Sequence, residues 1–363
     1  MPFFLIRASI HRFVGDPAGP ARTDNRRVTS PFRPTRDYVP PRWLAGPHRQ
    51  ILMTERLNAA YVPTPSEEIE LALPSGGTCR LVRRRAVGES RGVVVVVHGL
   101  GGDARAGRIA ECARVLNAAG LDAVAVGLRG AGGTTPQPRL YHAADLDEID
   151  AAARHPWTAG RPRVMLALSL GANLALRHAA MRGHDVASRF DAAVVVCPAA
   201  HLPASARALA GWPCALYNAK FAAALGARVR AVAPASGVRP HDRWRHRTVR
   251  RYDADFAAPA AGYASPDAYY EGASAHRVVG DIEIPTLVFG TADDPIVPVD
   301  VLREMWRAHP TVDLRISAHG SHLGFVEATP SGLAAGWMPR IVEAIDDLFP
   351  RSAPGDSTRG GTR

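Results

Sequence analysis

Three polar residue types stand in an order that could carry out acyl transfer. Ser169 lies in "ALSLGAN" (167–173), between an apolar run, "RVMLAL" (163–168), and a stretch with helical spacing, "GANLALRHAAM". A serine at a strand-to-helix turn is held in a tight bend that exposes its hydroxyl. The residues two before and two after it must be small; Gly171 meets this, and Ala167 stands where glycine is usual. A serine hydroxyl is a weak nucleophile until a base takes its proton, and that base needs an orienting acid. Both are expected later in the chain. "FGTADDPIVP" (289–298) follows a strand-like run and offers Asp293 and Asp294; "AHGSHLGF" (318–325) follows another and offers His319 and His322.

The order serine, aspartate, histidine, each in a loop after a strand, fits one sheet edge. The loop "HGLGGDA" (98–104) follows the most apolar strand. Its glycines let backbone approach a bound acyl group, and the amide of Leu100 is expected to join that of Leu170 in holding an oxyanion. His98 precedes the serine strand and reads as a structural turn residue. Rossmann and Walker spacings are absent, so the glycines do not read as a phosphate cradle. No organic cofactor and no metal is called for.

The elements that must position these residues are legible. "EEIELALP" and "TCRLVRRRA" read as two strands joined by the turn "SGG". "GVVVVVHG" (92–99) is a β-branched run buried on both faces, as in the centre of a parallel sheet. Helix and strand then alternate to about residue 197, break from about Pro198 to Asp281, and resume with "PTLVFG". This is a mostly parallel sheet flanked by helices, with a mainly helical cap inserted at about 198–280 over its carboxyl edge. Residues 1–37 read as a loosely ordered arm, 38–350 as the catalytic domain with its cap, and 351–363 as a disordered tail.

The chain has 363 residues, 47% apolar and 21% charged, values of a folded globular protein rather than a disordered one. No run reaches the ~20 apolar residues needed to span a bilayer, and the start lacks a secretory pattern. The four cysteines form no C-x-x-C pair and read as buried thiols of a reducing compartment. That points to a cytoplasmic protein. The net charge of +10 comes almost wholly from arginine, since Lys220 is the one lysine. No nucleic-acid-binding module accompanies it, so nucleic acid is not an expected partner. Peripheral contact with an anionic membrane is the minority reading of the charge, including "RWRHRTVRR" (243–251). Oligomeric state is not readable.

The chain resembles the YheT/EMB8-type α/β-hydrolase family, which includes ABHD1/ABHD3-like eukaryotic proteins. The resemblance rests on "PRWLAGPHRQIL", "VVVVHGLGG", "GLRGAGGT", "YHAADLDEI", "LSLGANLALR", "PTLVFGTADDPIVP", "GSHLGFVE" and, most specifically, "RRYDADFAAPAAGYASPDAYYEGAS". It implies an α/β-hydrolase fold and a carboxylic-ester hydrolase acting on a small-molecule or lipid-like ester. The implied triad falls on Ser169, His322 and one of the two aspartates. Asp294 is preferred because it stands four residues before Pro298 in "DPIVP", with Asp293 as the alternative. Tyr141 and His142 are implied to lie near the pocket. Ala167, and Ala172 where the family commonly has glycine, are departures that bear on rate. A thioesterase or phospholipase would use the same triad. A non-catalytic binding protein on this scaffold is the rival of a different class.

Overall fold

A computed structural model describes residues 30–349, apart from 62–63, 133–136, 138, 237–246, 308 and 331; the side chains of 230–236 are likewise left aside. Residues 1–29 of the expected arm, the C-terminal tail and the first four residues of "RWRHRTVRR" therefore lie outside the described residues.

Eight strands form the main sheet: β1 (Glu67–Ala72), β2 (Thr78–Arg84), β3 (Val93–Val97), β4 (Asp122–Gly127), β5 (Arg163–Leu168), β6 (Ala192–Val196), β7 (Thr286–Thr291) and β8 (Val312–Ser317). Their spatial order is β1-β2-β4-β3-β5-β6-β7-β8. β1 and β2 pair antiparallel, β2 joins β4 antiparallel, and every later pairing is parallel. β3 is five valines, all fully buried. Val93, Val95 and Val97 pack on one face of the sheet and Val94 and Val96 on the other, which is why this strand reads as an unbroken apolar run.

The register levels the strand ends. Val97 on β3 pairs with Ala167 on β5, and Ala167 pairs with Val195 on β6. The loops leaving β3, β5 and β6 thus open at one edge.

The first helix, α1 (Pro47–Ala59), follows the aromatic and proline stretch "YVPPRWLAG" and has no clear sequence signal of its own. It follows a segment that is tied down: Phe32 is buried, the Arg33 amide donates to the Ala344 carbonyl at 3.0 Å, and Tyr38 Oη lies 2.7 Å from the Val326 carbonyl. Helices α2 (Gly107–Ala118), α3 (Asp147–Arg154) and α4 (Leu170–Arg182) follow β3, β4 and β5. A short hairpin, Val326–Thr329 with Gly332–Ala335, separates the histidine loop from the last long helix, Trp337–Ile345. The hairpin is a second feature without a clear sequence signal.

Between β6 and β7 the chain leaves the sheet. It forms α5 (Leu202–Ala210), α6 (Ala215–Ser236), a π-helical turn at Asp253–Ala257, and a helix at Pro266–Ala273. This is the helical insertion read from the broken alternation. All four cysteines are free and buried. No helix among the described residues is long and apolar enough to cross a membrane.

Candidate active site

Ser169 occupies the turn between β5 and α4 with φ 52° and ψ −116°. Five non-glycine residues among those described have positive φ: Ser169, Cys197, Ser321, Leu323 and Phe325. They follow β5, follow β6, or belong to the histidine loop. Such backbone conformations each cost on the order of 1–3 kcal/mol and persist where the surroundings over-determine them. Here the strain is concentrated around one serine. Its amide donates to the Val196 carbonyl at 3.0 Å, and its carbonyl accepts from Ala172 and Ala199 at 3.0 and 3.2 Å.

The small residues around the serine have separate reasons. A Cβ on Gly171 would stand 2.3 Å from the His98 carbonyl oxygen, so α4 can start against β3 only with glycine there. Ala167 is different. It lies in the strand, fully buried, with its methyl in the core, so alanine in place of the usual glycine is accommodated by packing. Ala172 is also fully buried in that core.

His322 Nε2 is 2.9 Å from Ser169 Oγ, and His322 Nδ1 is 2.9 Å from Asp294 Oδ2. The other Asp294 oxygen accepts from the amides of Ile296 and Val297, at 2.8 and 2.9 Å. Those bonds fix the carboxylate plane. Asp293 lies elsewhere: its Oδ1 accepts from the Ser321 amide at 2.7 Å, which pins the histidine loop. His319 is half-exposed and lies 3.7 Å from Asp293. Of the two candidate pairs, only Asp294 and His322 reach the serine.

His98 is buried. Its Nδ1 lies 2.8 Å from the Gly99 carbonyl, and its Nε2 accepts from the Leu128 amide at 3.3 Å. Both ring nitrogens serve the backbone, and burial pulls the imidazole pKa down to about 4. It holds the turn as a neutral ring. Cys197 Sγ, Asp294 and His322 bring ligand atoms within 4.8 Å of one another. Burial pushes the Cys197 thiol well above its ordinary pKa. Asp294 and His322 are already joined to each other, so this donor set suits a proton relay better than a metal.

Leu100 and Leu170 line the same cavity as Ser169 and His322, a space of about 360 Å³. Much of its wall comes from the inserted helices, including Leu202, Leu209, Phe221 and Leu225. Tyr141 and His142 line it as well. The Gly101 amide donates to Tyr141 Oη at 2.9 Å. Arg228 on α6 donates to the carbonyls of Gly101 and Gly102, each at 2.7 Å. The loop carrying Leu100 is thus held from two sides. Sequence reasoning missed Arg228, because an arginine in an alanine-rich helix gives no signal of what it will meet.

A strained serine at a strand-to-helix turn, a histidine within reach, and a mostly parallel sheet under a helical cap define an α/β-hydrolase, a carboxylic-ester hydrolase. The chain belongs to the Hydrolase_4 family, described as serine aminopeptidase, S33, whose model matches residues 88–329. It is 26% identical over 309 residues to a protein of Escherichia coli (strain K12) named "Putative esterase YheT", covering 82% of this chain and 89% of that one. It is 32% identical over 104 residues to the phospholipase ABHD3 of Mus musculus, a match spanning 28% of this chain and 23% of that protein. Among solved structures, the esterase Pf2001 of Pyrococcus furiosus superposes with a TM-score of 0.51 at 14% identity, over 80% of this chain and 98% of that one, a likeness of fold.

Proposed function

We propose that this protein is a serine esterase that cleaves carboxylic esters, lipid-like ones included, through an acyl-enzyme at Ser169. The observation that carries the reading is the unbroken relay of 2.9 Å contacts from Ser169 through His322 to Asp294 on the wall of an apolar cavity. Ser169 Oγ attacks the ester carbonyl while His322 Nε2 takes its proton. Asp294 holds the imidazole in the tautomer that leaves Nε2 free to accept, and stabilises the imidazolium. The amides of Leu100 and Leu170 receive the charge that develops on the carbonyl oxygen, with α4 presenting its N-terminus to the same point. One such donor contributes about 3 kcal/mol in comparable sites. The imidazolium then protonates the leaving alcohol. Water, deprotonated by the same histidine, attacks the acyl-enzyme and releases the acid and Ser169.

The names of the relatives, an esterase and a phospholipase, support esters, phospholipid-like ones among them, as the substrate class. The test is labelling with a fluorophosphonate beside hydrolysis of p-nitrophenyl esters from acetate to palmitate. Wild type is expected to label and turn over, and Ser169→Ala to do neither while remaining folded. A folded wild type that neither labels nor hydrolyses any ester sinks the reading and favours a binding protein on this scaffold.

A further inference from the structure

The cavity wall carries one carboxylate outside the relay. Asp253 begins the π-helical turn Asp253–Ala257, lines the cavity, and is 7% exposed. Tyr270 Oη donates to its Oδ2 at 2.7 Å. Among the described residues its Oδ1 has no hydrogen-bond partner, and that oxygen keeps accessible surface on a residue that lines the cavity. No cation pairs with Asp253 within 4 Å among the described residues, and its neighbour Arg250 is engaged with Asp267 at 2.6 Å.

A carboxylate oxygen on a residue this buried gains from a hydrogen-bond donor, and most such groups in folded proteins have one. π-helical turns are also disfavoured, and they recur at functional sites. Here both fall on one residue facing the substrate cavity. The surrounding wall is apolar, with Tyr252 and Tyr269 alongside. Burial raises the carboxyl to about 7, so the group gains from any partner that donates a hydrogen bond to it. The stretch holding it, "RRYDADF", is the part of the sequence that the relay chemistry leaves unused.

We propose that Asp253 is a specificity-determining residue whose cavity-facing oxygen accepts a hydrogen bond from a hydroxyl or ammonium group carried by an otherwise apolar ester substrate. The proposal rests on the esterase reading above. It makes the substrate amphiphilic: a chain for the apolar wall, an ester at Ser169, and one polar donor placed to meet Asp253. A merely structural Asp253 would anchor Tyr270 and no more.

The experiment compares kcat/KM for ethyl octanoate with three esters that add one donor. These are 2-hydroxyethyl octanoate, ethyl 8-hydroxyoctanoate and protonated 2-(dimethylamino)ethyl octanoate. The first two set the hydroxyl on the alcohol or the acyl side, and the third supplies the ammonium. At least one is expected to exceed ethyl octanoate by roughly tenfold, the scale of one net hydrogen bond. Asp253→Asn keeps the shape and an acceptor for Tyr270, and is expected to collapse that ratio. Tyr270→Phe removes the structural bond but leaves the carboxylate, and is expected to keep it. An enzyme that hydrolyses ethyl octanoate but shows equal values for all four esters overturns the proposal alone, even if the Asp253 variant does not fold. So does a ratio that survives Asp253→Asn. An enzyme that hydrolyses none and is not labelled at Ser169 overturns the esterase reading and this proposal with it.

Discussion

Arg228 reaches from the inserted helix α6 to Gly101, where its guanidinium meets the carbonyl at 2.7 Å, and the same nitrogen meets the Gly102 carbonyl at 2.7 Å. The other guanidinium nitrogen lies 3.4 Å from Tyr141 Oη, which itself accepts from the Gly101 amide. A residue of the cap thereby orients the loop that presents the Leu100 amide. Arg228→Ala is expected to lower kcat by roughly tenfold or more, within the cost of losing one oxyanion donor. KM for a short ester should move little, and Arg228→Lys should restore part of the rate. Steady-state kinetics on p-nitrophenyl acetate read this split. A change in KM alone would mean that Arg228 shapes the pocket and not the oxyanion loop.

The two adjacent aspartates should separate cleanly. Asp294→Asn leaves the shape but favours the wrong histidine tautomer, and should cut kcat by about 10⁴-fold. Asp293→Asn alters the acceptor of the Ser321 amide and the contact with His319, and should cost roughly tenfold or less, mainly through loop position. Comparable losses in the two variants, measured with one ester at saturating substrate, would contradict the assignment.

Ala167→Gly should not improve the enzyme. Ala167 packs in the core between β3 and β6, so glycine removes a buried methyl and loosens a strand, a loss of about 1 kcal/mol or somewhat more. The rate of fluorophosphonate labelling should stay within roughly twofold, since that methyl belongs to the buried core. Gly171→Ala is the contrasting variant. Its Cβ would meet the His98 carbonyl oxygen at 2.3 Å, so soluble yield and labelling should both collapse. Denaturant melts and labelling of the two variants side by side decide the point.

Asp253 should leave a mark on stability against pH. Burial raises its folded-state pKa to about 7, against an unfolded value near 3.9. The folded protein therefore holds a proton that the unfolded chain releases. The stability this contributes is fully present below about pH 4 and is lost as pH rises to about 7. The groups facing it are Tyr270, which donates to it, and Arg250, whose charge acts against the shift. Asp253→Asn has no proton to lose there. Its stability relative to wild type should improve between about pH 4 and 7, by up to about 1.4 kcal/mol per pH unit, and level off above. Urea unfolding of both proteins at several pH values gives the difference directly, and a pH-independent difference contradicts the assigned burial.

Much of this site could be read from the chain because its signals are local. Ser169 announces itself through the change from an apolar run to helical spacing, with Gly171 two residues on. Between Asp293 and Asp294 the residues alone leave both open; the family resemblance favours Asp294, and in the structure the amides of Ile296 and Val297 hold it within reach of His322. The valines of β3 identify the sheet centre because a strand buried on both faces needs apolar residues at every position. Helix α1 and the Val326–Ala335 hairpin lack such a signature. α1 carries only two buried residues, Gln50 and Thr54, and both are polar. Its position is set by contacts such as Thr54 with the Gly324 carbonyl at 3.2 Å, which no periodicity reveals.

By itself, then, the sequence determined the alternating strands and helices, the serine turn, and the order of the relay. These depend on side-chain periodicity and turn chemistry within a few residues. Tertiary structure decided the rest: that Arg228 meets Gly101, 127 residues away, and that Asp253 joins the cavity wall with Tyr270 on one of its oxygens. The physical reason is that hydrogen bonds and burial depend on which surfaces pack together. Only the seating of the inserted helices on the sheet edge brings those partners within reach.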